Sequence, residues 1–256
     1  MWTLAQQEYW LKQGLWPVAG NAAAYALFAG GGLSSNGINR LITNTTGNAS
    51  AFGTLSFGNY SRGASASSDT RALWAGGTGG PDISSIAYST YTTSGASTYF
   101  GDLTTTGYNI AGSSNYIRAV FGGGYNSTSG TSTSVISYVT IASTGNASSF
   151  GTLTQARSGN QLASCSSSTR AVWAGGNTGS GVCTIDYVTI ASQGNATSFG
   201  SLSYARGNLS GLSSATRGVF SGGYNAAVYY TSMDYITIAS TGNATTFGTL
   251  TTGSGT

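Results

Sequence analysis

Charged and metal-binding side chains are scarce in this chain of 256 residues. It contains no histidine, one lysine (Lys12), eight arginines and six acidic residues, so only 6% of its residues are charged. Histidine and the acidic residues are the side chains that most often act as general acids and bases or as metal ligands. The composition therefore predicts a protein that is not an enzyme and that holds no metal ion or other cofactor.

Other absences exclude further classes of protein. The arginines are spread along the chain rather than clustered, which argues against a nucleic-acid groove. No apolar run approaches the roughly 20 residues that span a bilayer, so we expect no membrane insertion. The first residues lack the basic and then apolar order of a secretory signal. Cys165 and Cys183 would lie one strand apart, too far for a disulfide, and we expect free thiols.

A repeated stretch organises the rest of the sequence. "ISYVTIASTGNASSFGTL" begins at Ile136, and close copies begin at Ile185 and Met233. Two features of the sequence each occur five times, which indicates five repeat units. The first is an aromatic residue shortly before paired glycines (Phe28, Trp74, Phe121, Trp173 and Phe220). The second is the phenylalanine of an FG-x-L element (Phe52, Phe100, Phe150, Phe199 and Phe247). A period of 40–50 residues is typical of propellers and solenoids.

Each unit supplies four short strand candidates, as a propeller blade requires. The sequence therefore predicts an all-β fold, a five-bladed β-propeller over residues 17–256, in which Pro17 to Asn21 supplies the innermost strand of the first blade. The aromatic residue before the paired glycines should fill space between blades, and the glycines should permit close approach of strands near the axis. The asparagine of the repeated "TGN" (as in Asn146 and Asn195) should serve the turn rather than carry a glycan.

The order of the conserved features resembles a known repeat. A strand that ends in Gly-Gly, then a strand bearing an aromatic residue, then an aromatic plus leucine and "AR" (Ala156-Arg157, Ala205-Arg206), resembles the kelch repeat, although Arg40 stands where the first unit should have tyrosine. The amino-acid sequences "TIASTGNAT" and "FGTL" more closely resemble kelch-like repeats in virion proteins of tailed phages that infect marine bacteria and cyanobacteria. The resemblance covers residues 17–250 and implies a tail-fibre or appendage role.

Variation among the five units separates scaffold from candidate binding surface. The connection between the second and third strands differs in length and in sequence from unit to unit. It should emerge on the same face of the propeller as the connection between blades. Variation on one face of a repeat protein usually marks the binding face. Tyrosine and asparagine there suit recognition, although any polar loop contains them. The candidate ligand-binding residues are Tyr60, Arg62, Tyr108, Tyr125, Asn126, Tyr224, Asn225, Tyr229 and Tyr230.

The repeated arginines have a structural interpretation. The arginine before the second strand (Arg71, Arg118, Arg170 and Arg217) should bond the preceding turn or carbonyls of a neighbouring blade rather than an anionic ligand. Asp186 and Asp234 should pair with arginines of the type of Arg157 and Arg206. A glycan-degrading enzyme would need two carboxylates in one cleft, and no duplicated acidic pair appears on the variable connections.

The N-terminal segment, residues 1–16, is predicted to be a helix. Thr3 with Gln6 forms a capping box, Gly14 can end the helix and Pro17 prevents its continuation, so Leu4 to Gln13 should be helical. Its apolar side chains point in several directions. They either cover the propeller's own surface or dock onto another virion protein or a symmetry mate, which would make the protein a homo-oligomer. The candidate docking residues are Trp2, Leu4, Tyr9, Trp10, Leu11 and Trp16.

The expected function is that of a non-enzymatic virion appendage, made in the host cytoplasm and carried on the tail or capsid. It would recognise the host cell surface, with polysaccharide as the expected ligand. Two alternatives remain open at this point. One is a purely structural decoration that binds other virion proteins, and the other is a free-standing sugar-binding lectin.

Overall fold

The computed structural model describes residues 24–30, 36–57, 62–79, 81–158 and 162–253, and these residues form a five-bladed β-propeller, as predicted. The described part contains no helix, and therefore none that could span a membrane. The predicted N-terminal helix with its six docking residues, the segment from Pro17 to Asn21, and Tyr60 lie outside the described residues.

Blades 2 to 5 each contain four antiparallel strands in sequence order, and the described part of blade 1 contains three. The strands of blade 1 are β1 (Tyr25–Ala29), β2 (Gly37–Ile42) and β3 (Ser50–Thr54), and those of blade 2 are β4 (Ala64–Ser67), β5 (Arg71–Ala75), β6 (Ser85–Thr90) and β8 (Thr98–Asp102). Blade 3 has β9 (Ala111–Ser114), β10 (Arg118–Gly122), β13 (Val135–Thr140) and β14 (Ser148–Thr152). Blade 4 has β15 (Ala163–Ser166), β16 (Arg170–Ala174), β17 (Thr184–Thr189) and β18 (Thr197–Ser201), and blade 5 has β19 (Ser210–Ser213), β20 (Arg217–Ser221), β23 (Ser232–Thr237) and β24 (Thr245–Thr249).

Short two-residue strands complete the pattern. β7 (Gly95–Ala96) pairs in parallel with β3 and so ties blade 2 to blade 1. Two small hairpins project between the second and third strands of their blades: β11 (Tyr125–Asn126) with β12 (Thr131–Ser132), and β21 (Tyr224–Asn225) with β22 (Val228–Tyr229).

A central channel is lined by β1 and by the innermost strands of the other four blades, β4, β9, β15 and β19. Serine side chains join these innermost strands across the blade boundaries. The hydroxyl of Ser114 donates to the carbonyl of Ser67 (2.8 Å), that of Ser166 to Ser114 (2.9 Å), and that of Ser213 to Ser166 (2.9 Å). The channel serines are therefore part of the scaffold, because neighbouring innermost strands do not pair through their backbones.

Backbone contact between blades depends on the glycine of the FG-x-L element. A Cβ atom on Gly151 would lie 2.2 Å from the carbonyl oxygen of Gly194, which belongs to the turn of the next blade. The side-chain oxygen of Asn195, beside that turn glycine, accepts a hydrogen bond from the backbone N–H of Thr152 at 3.1 Å. The asparagine of "TGN" thus joins two blades, a role that the sequence analysis did not predict.

Each blade also carries a stack of three side chains. In blade 3 the Arg118 guanidinium lies 4.6 Å from the centre of the Tyr138 ring, which packs edge-on against Phe150. In blade 1 the arginine and the tyrosine have exchanged strands, and Arg40 lies between Tyr25 (4.9 Å) and Phe52 (5.2 Å). The exchange keeps the cation–π contact and explains why Arg40 stands at a tyrosine position.

The arginines before the second strands are structural, as predicted. The Nη1 group of Arg71 donates to the carbonyl of Ile141 (2.8 Å), and the same group of Arg170 donates to Ile238 (2.9 Å). Arg71, Arg118 and Arg170 therefore reach from their own blades to the end of the third strand in the next blade. A charged donor satisfies a carbonyl that the strand itself leaves unpaired at its end.

In the part of the chain that the structure describes, the junction between blades 5 and 1 lacks these repeated contacts. Phe247 is 50% exposed, whereas the phenylalanine at its position in blades 1 to 4 is buried, and Leu212 is 62% exposed where blade 4 has the buried Cys165. Phe28 is 58% exposed, so the prediction that it fills space between blades is wrong, although it holds for the other four aromatic residues. Among the described residues, no hydrogen bond joins blade 5 to blade 1.

Candidate functional site

The connections that vary among the units lie together on one side of the propeller, which we call the variable face. It consists of the connections between second and third strands and the connections between blades. Backbone bridges pair the two kinds of connection: Tyr125 with Tyr108, Asn177 with Ser158, and Tyr224 with Gly207. The tight turns between the first and second strands lie at the opposite ends of the strands, on what we call the fixed face.

Paired glycines turn each chain segment onto the variable face. Gly175 and Gly176 have φ angles of +67° and +101°, a region that side chains other than glycine rarely adopt. A Cβ atom on Gly175 would lie 2.6 Å from the carbonyl oxygen of Arg206, in the connection to the next blade. These glycines are therefore required because the backbone approaches the connection between blades. The expectation that they permit close approach of strands near the axis is wrong.

One group of predicted site residues forms where blades 2 and 3 meet. The rings of Tyr108 and Tyr125 lie 5.5 Å apart, and the Arg62 guanidinium lies 5.9 Å from the Tyr108 ring. The Asn126 amide donates to the Thr106 hydroxyl at 3.0 Å, and its oxygen accepts from the backbone of a residue in its own hairpin. Most of the polar capacity of Asn126 is thus used within the protein.

A second group lies on blade 5, around the β21–β22 hairpin. The rings of Tyr224 and Tyr229 lie 5.0 Å apart across the hairpin, and the ring of Tyr230 lies 5.4 Å from that of Tyr204. The Asn225 side-chain oxygen accepts a hydrogen bond from a backbone N–H of the blade 4 connection at 3.1 Å. Among the described residues, no hydrogen bond or ring contact joins this group to the group at blades 2 and 3, so the predicted set forms two clusters.

Tyr204 was missed by the sequence analysis. It is 54% exposed and lies in the connection between blades 4 and 5, directly before the repeated "AR". That position is glutamine in the preceding unit (Gln155). Because the residue varies between units, a comparison of the units could have identified Tyr204 as a candidate binding residue.

Two buried ion pairs lie beneath the variable face. Arg157 pairs with Asp186 at 3.0 Å and Arg206 pairs with Asp234 at 2.9 Å, and all four side chains are fully buried. These pairs confirm the interpretation of both aspartates as partners of arginine. Burial lowers the pKa of both arginines, and the attraction of the aspartate opposes that shift.

The two pairs differ in how well the arginine is bonded. Arg206 also donates through Nη1 to the carbonyl of Ser232 at 2.9 Å and to its hydroxyl. Arg157 has one other bond, from Nη2 to the carbonyl of Trp173 at 3.3 Å, and its Nε and Nη1 groups have no partner among the described residues. Arg157 therefore depends more strongly on its aspartate.

The remaining acidic groups of the described blades do not assemble into a cluster. Asp82 on the variable face accepts a hydrogen bond from the backbone of Ser127 at 2.6 Å, and Asp102 accepts from the hydroxyl of Ser84 at 3.0 Å. Within the described residues, no group of three or more histidine, cysteine, aspartate or glutamate side chains could hold a metal ion. Cys165 and Cys183 are free thiols, as predicted.

The fold is similar to that of a solved protein. The structure of YjhT matches this chain with a TM-score of 0.72 over 86% of the chain and 80% of YjhT, at 12% sequence identity. No protein-family pattern and no curated protein matches the sequence. At 12% identity the likeness shows the fold alone, and by that comparison the chain is a β-propeller similar in shape to YjhT.

Proposed function

We propose that this protein is a kelch-like virion appendage of a tailed phage that binds a polysaccharide on the host cell surface without enzymatic activity. The observation that supports the proposal is the division between the two faces. The fixed face repeats the same arginine and serine contacts from blade to blade, whereas the connections of the variable face differ between blades and bring tyrosine rings together in contacting pairs. A scaffold that holds variable, aromatic loops on one side suits recognition.

The proposal includes attachment through the N-terminal segment. Residues 1–16 carry the apolar and aromatic side chains that would dock onto other virion proteins. The experiment is to delete residues 1–16 and to compare incorporation into virions with adsorption of the isolated protein to host cells. The deletion should abolish incorporation and leave adsorption intact. A deleted protein that still enters virions would refute the docking role.

One observation favours the alternative of a structural decoration. Phe28, Leu212 and Phe247 expose apolar area at the junction of blades 5 and 1, and another virion protein could cover it. Under this alternative, the isolated protein would bind particles that lack it but would not bind host cells. A free-standing lectin would show the reverse pattern, with glycan binding and no copy of the protein in purified virions.

A further inference from the structure

The most distinctive aromatic surface of the described blades is the tyrosine cluster of blade 5, formed by Tyr204, Tyr224, Tyr229 and Tyr230. Its rings form two contacting pairs, and three of the four are exposed: Tyr204 by 54%, Tyr224 by 36% and Tyr229 by 60%. The matching connection of blade 4, "NTGSGV", contains no aromatic residue. The cluster is thus a feature of one blade and is not required by the repeat.

The backbone holds this cluster firmly in place. Tyr224 exchanges two backbone hydrogen bonds with Gly207 (2.8 and 3.0 Å), and the N–H of Tyr230 donates to the carbonyl of Gly223 at 2.9 Å. The hairpin turn consists of Ala226 and Ala227 with φ angles of +48° and +69°, where glycine or asparagine is the usual choice. A turn that keeps an unfavourable conformation is over-determined by its surroundings, so the rings are positioned before any ligand arrives.

The charge beneath the cluster is already balanced. The Arg206 guanidinium lies 5.8 Å from the centre of the Tyr230 ring, but it is fully buried and is bonded to Asp234 and Ser232. Tyr204 and Tyr229 are therefore exposed above a charge that already has its partners. An anionic ligand would find no unpaired cation among the described residues of this cluster.

We infer that the tyrosine cluster is a binding site for a neutral sugar unit of a polysaccharide, an inference that rests on the proposed function and narrows it to one site and one class of ligand. The C–H groups of an uncharged sugar ring can pack on the faces of the tyrosines, and its hydroxyls can exchange hydrogen bonds with the phenols. A protein partner would require about 800 Å² on each side and would have to contact much of blade 5 beyond these four rings.

The experiment compares two cluster variants with a matched control on an array of immobilised neutral and acidic microbial glycans. Tyr204→Ala and Tyr229→Ala remove exposed rings from the cluster, and Tyr116→Ala removes a ring that is 70% exposed on the fixed face. The wild type and the control should bind neutral glycans equally, and each cluster variant should bind about tenfold more weakly. Tyr229→Phe, which keeps the ring, should retain most of the binding. Equal thermal unfolding of all variants would show that each is folded.

Three outcomes would overturn the inference: binding of acidic glycans only, binding of none, or equal binding by the cluster variants and the control. An assay of adsorption to host cells distinguishes failure of the inferred binding site from failure of the proposed function. If the wild type adsorbs and Tyr229→Ala adsorbs equally well, the site is wrong and the adhesin function stands. If the wild type binds neutral glycans through the cluster but neither adsorbs to cells nor occurs in virions, the site is right and the appendage function is wrong.

Discussion

Replacing Asp186 by serine should destabilise the propeller more than any substitution at the exposed tyrosines. The change leaves the Arg157 guanidinium fully buried with one hydrogen bond of 3.3 Å, to the carbonyl of Trp173. Removing one partner of a buried ion pair costs about 3–5 kcal/mol in the free energy of unfolding. In a protein of this size, that loss corresponds to a melting temperature lowered by roughly 6–20 °C.

The chain itself offers the control for this prediction. In blade 3 the aspartate position is Ser137, whose hydroxyl bonds that of Thr104, and the arginine position is Gly107. The double variant Arg157→Met with Asp186→Ser removes both charges and keeps most of the side-chain volume. It should therefore lie within about 1–2 kcal/mol of the wild type, because an uncharged replacement of a buried pair is often nearly neutral.

Urea denaturation of the wild type, both single variants and the double variant would measure the coupling between the two positions. A coupling free energy below about 0.5 kcal/mol would refute the reasoning, because it would mean that Arg157 does not depend on Asp186. Asp234→Ser is a second comparison. Because Arg206 keeps its two bonds to Ser232, this variant should lose less stability than Asp186→Ser.

Two further predictions concern the junctions between blades and the thiols. Gly200→Ala should destabilise the fold or prevent folding, since its Cβ would lie 2.1 Å from the carbonyl oxygen of Gly242. Gly248→Ala is the matched control, because its φ is nearly the same (+159° against +156°) but the nearest atom to its Cβ, at 3.5 Å, is the Cε of Met233, so it should lose much less stability. Equal melting temperatures for the two variants would contradict this account. Burial raises the pKa of the Cys165 thiol to about 12, so a thiol reagent at pH 8 should modify the half-buried Cys183 alone in the folded protein and both thiols after unfolding. Two fast-reacting thiols under native conditions would show that β15 is not packed as described.

The propeller architecture could be predicted from the sequence because the same pattern of strands and turns occurs in five similar units. Spacing between landmarks such as Trp173 and Phe199 was enough to count blades, to place strands and to assign the variable connections to one face. The pairing of Asp186 with an arginine could also be predicted, since an isolated acidic residue inside a strand needs a partner.

The contacts of the repeated arginines and of four aromatic residues between blades could be predicted, but the backbone contacts between blades could not. Spacing within a unit does not show that Gly151 meets the next blade's turn, or that Asn195 bonds the preceding blade's outer strand. The exchange of Tyr25 and Arg40 looked like a departure from the pattern until the structure showed the two side chains in contact. Burial of Phe28 was wrongly predicted for the same reason, because it depends on what lies beside blade 1 and not on the blade's own residues.

The exposed Phe247 marks a junction with few contacts among the described residues, and such a junction gives the molecule an unequal distribution of stability. When each repeat is stabilised mainly by its neighbours, units at a boundary with fewer contacts open first. Blades 3 and 4 are bonded on both sides, while blade 5 lacks described bonds on one side, so transient opening should start at blade 5 and move inward. The tyrosine hairpin belongs to that same blade, which means that a ligand bound there would slow the opening of the weakest unit and raise the resistance of the whole chain to proteolysis.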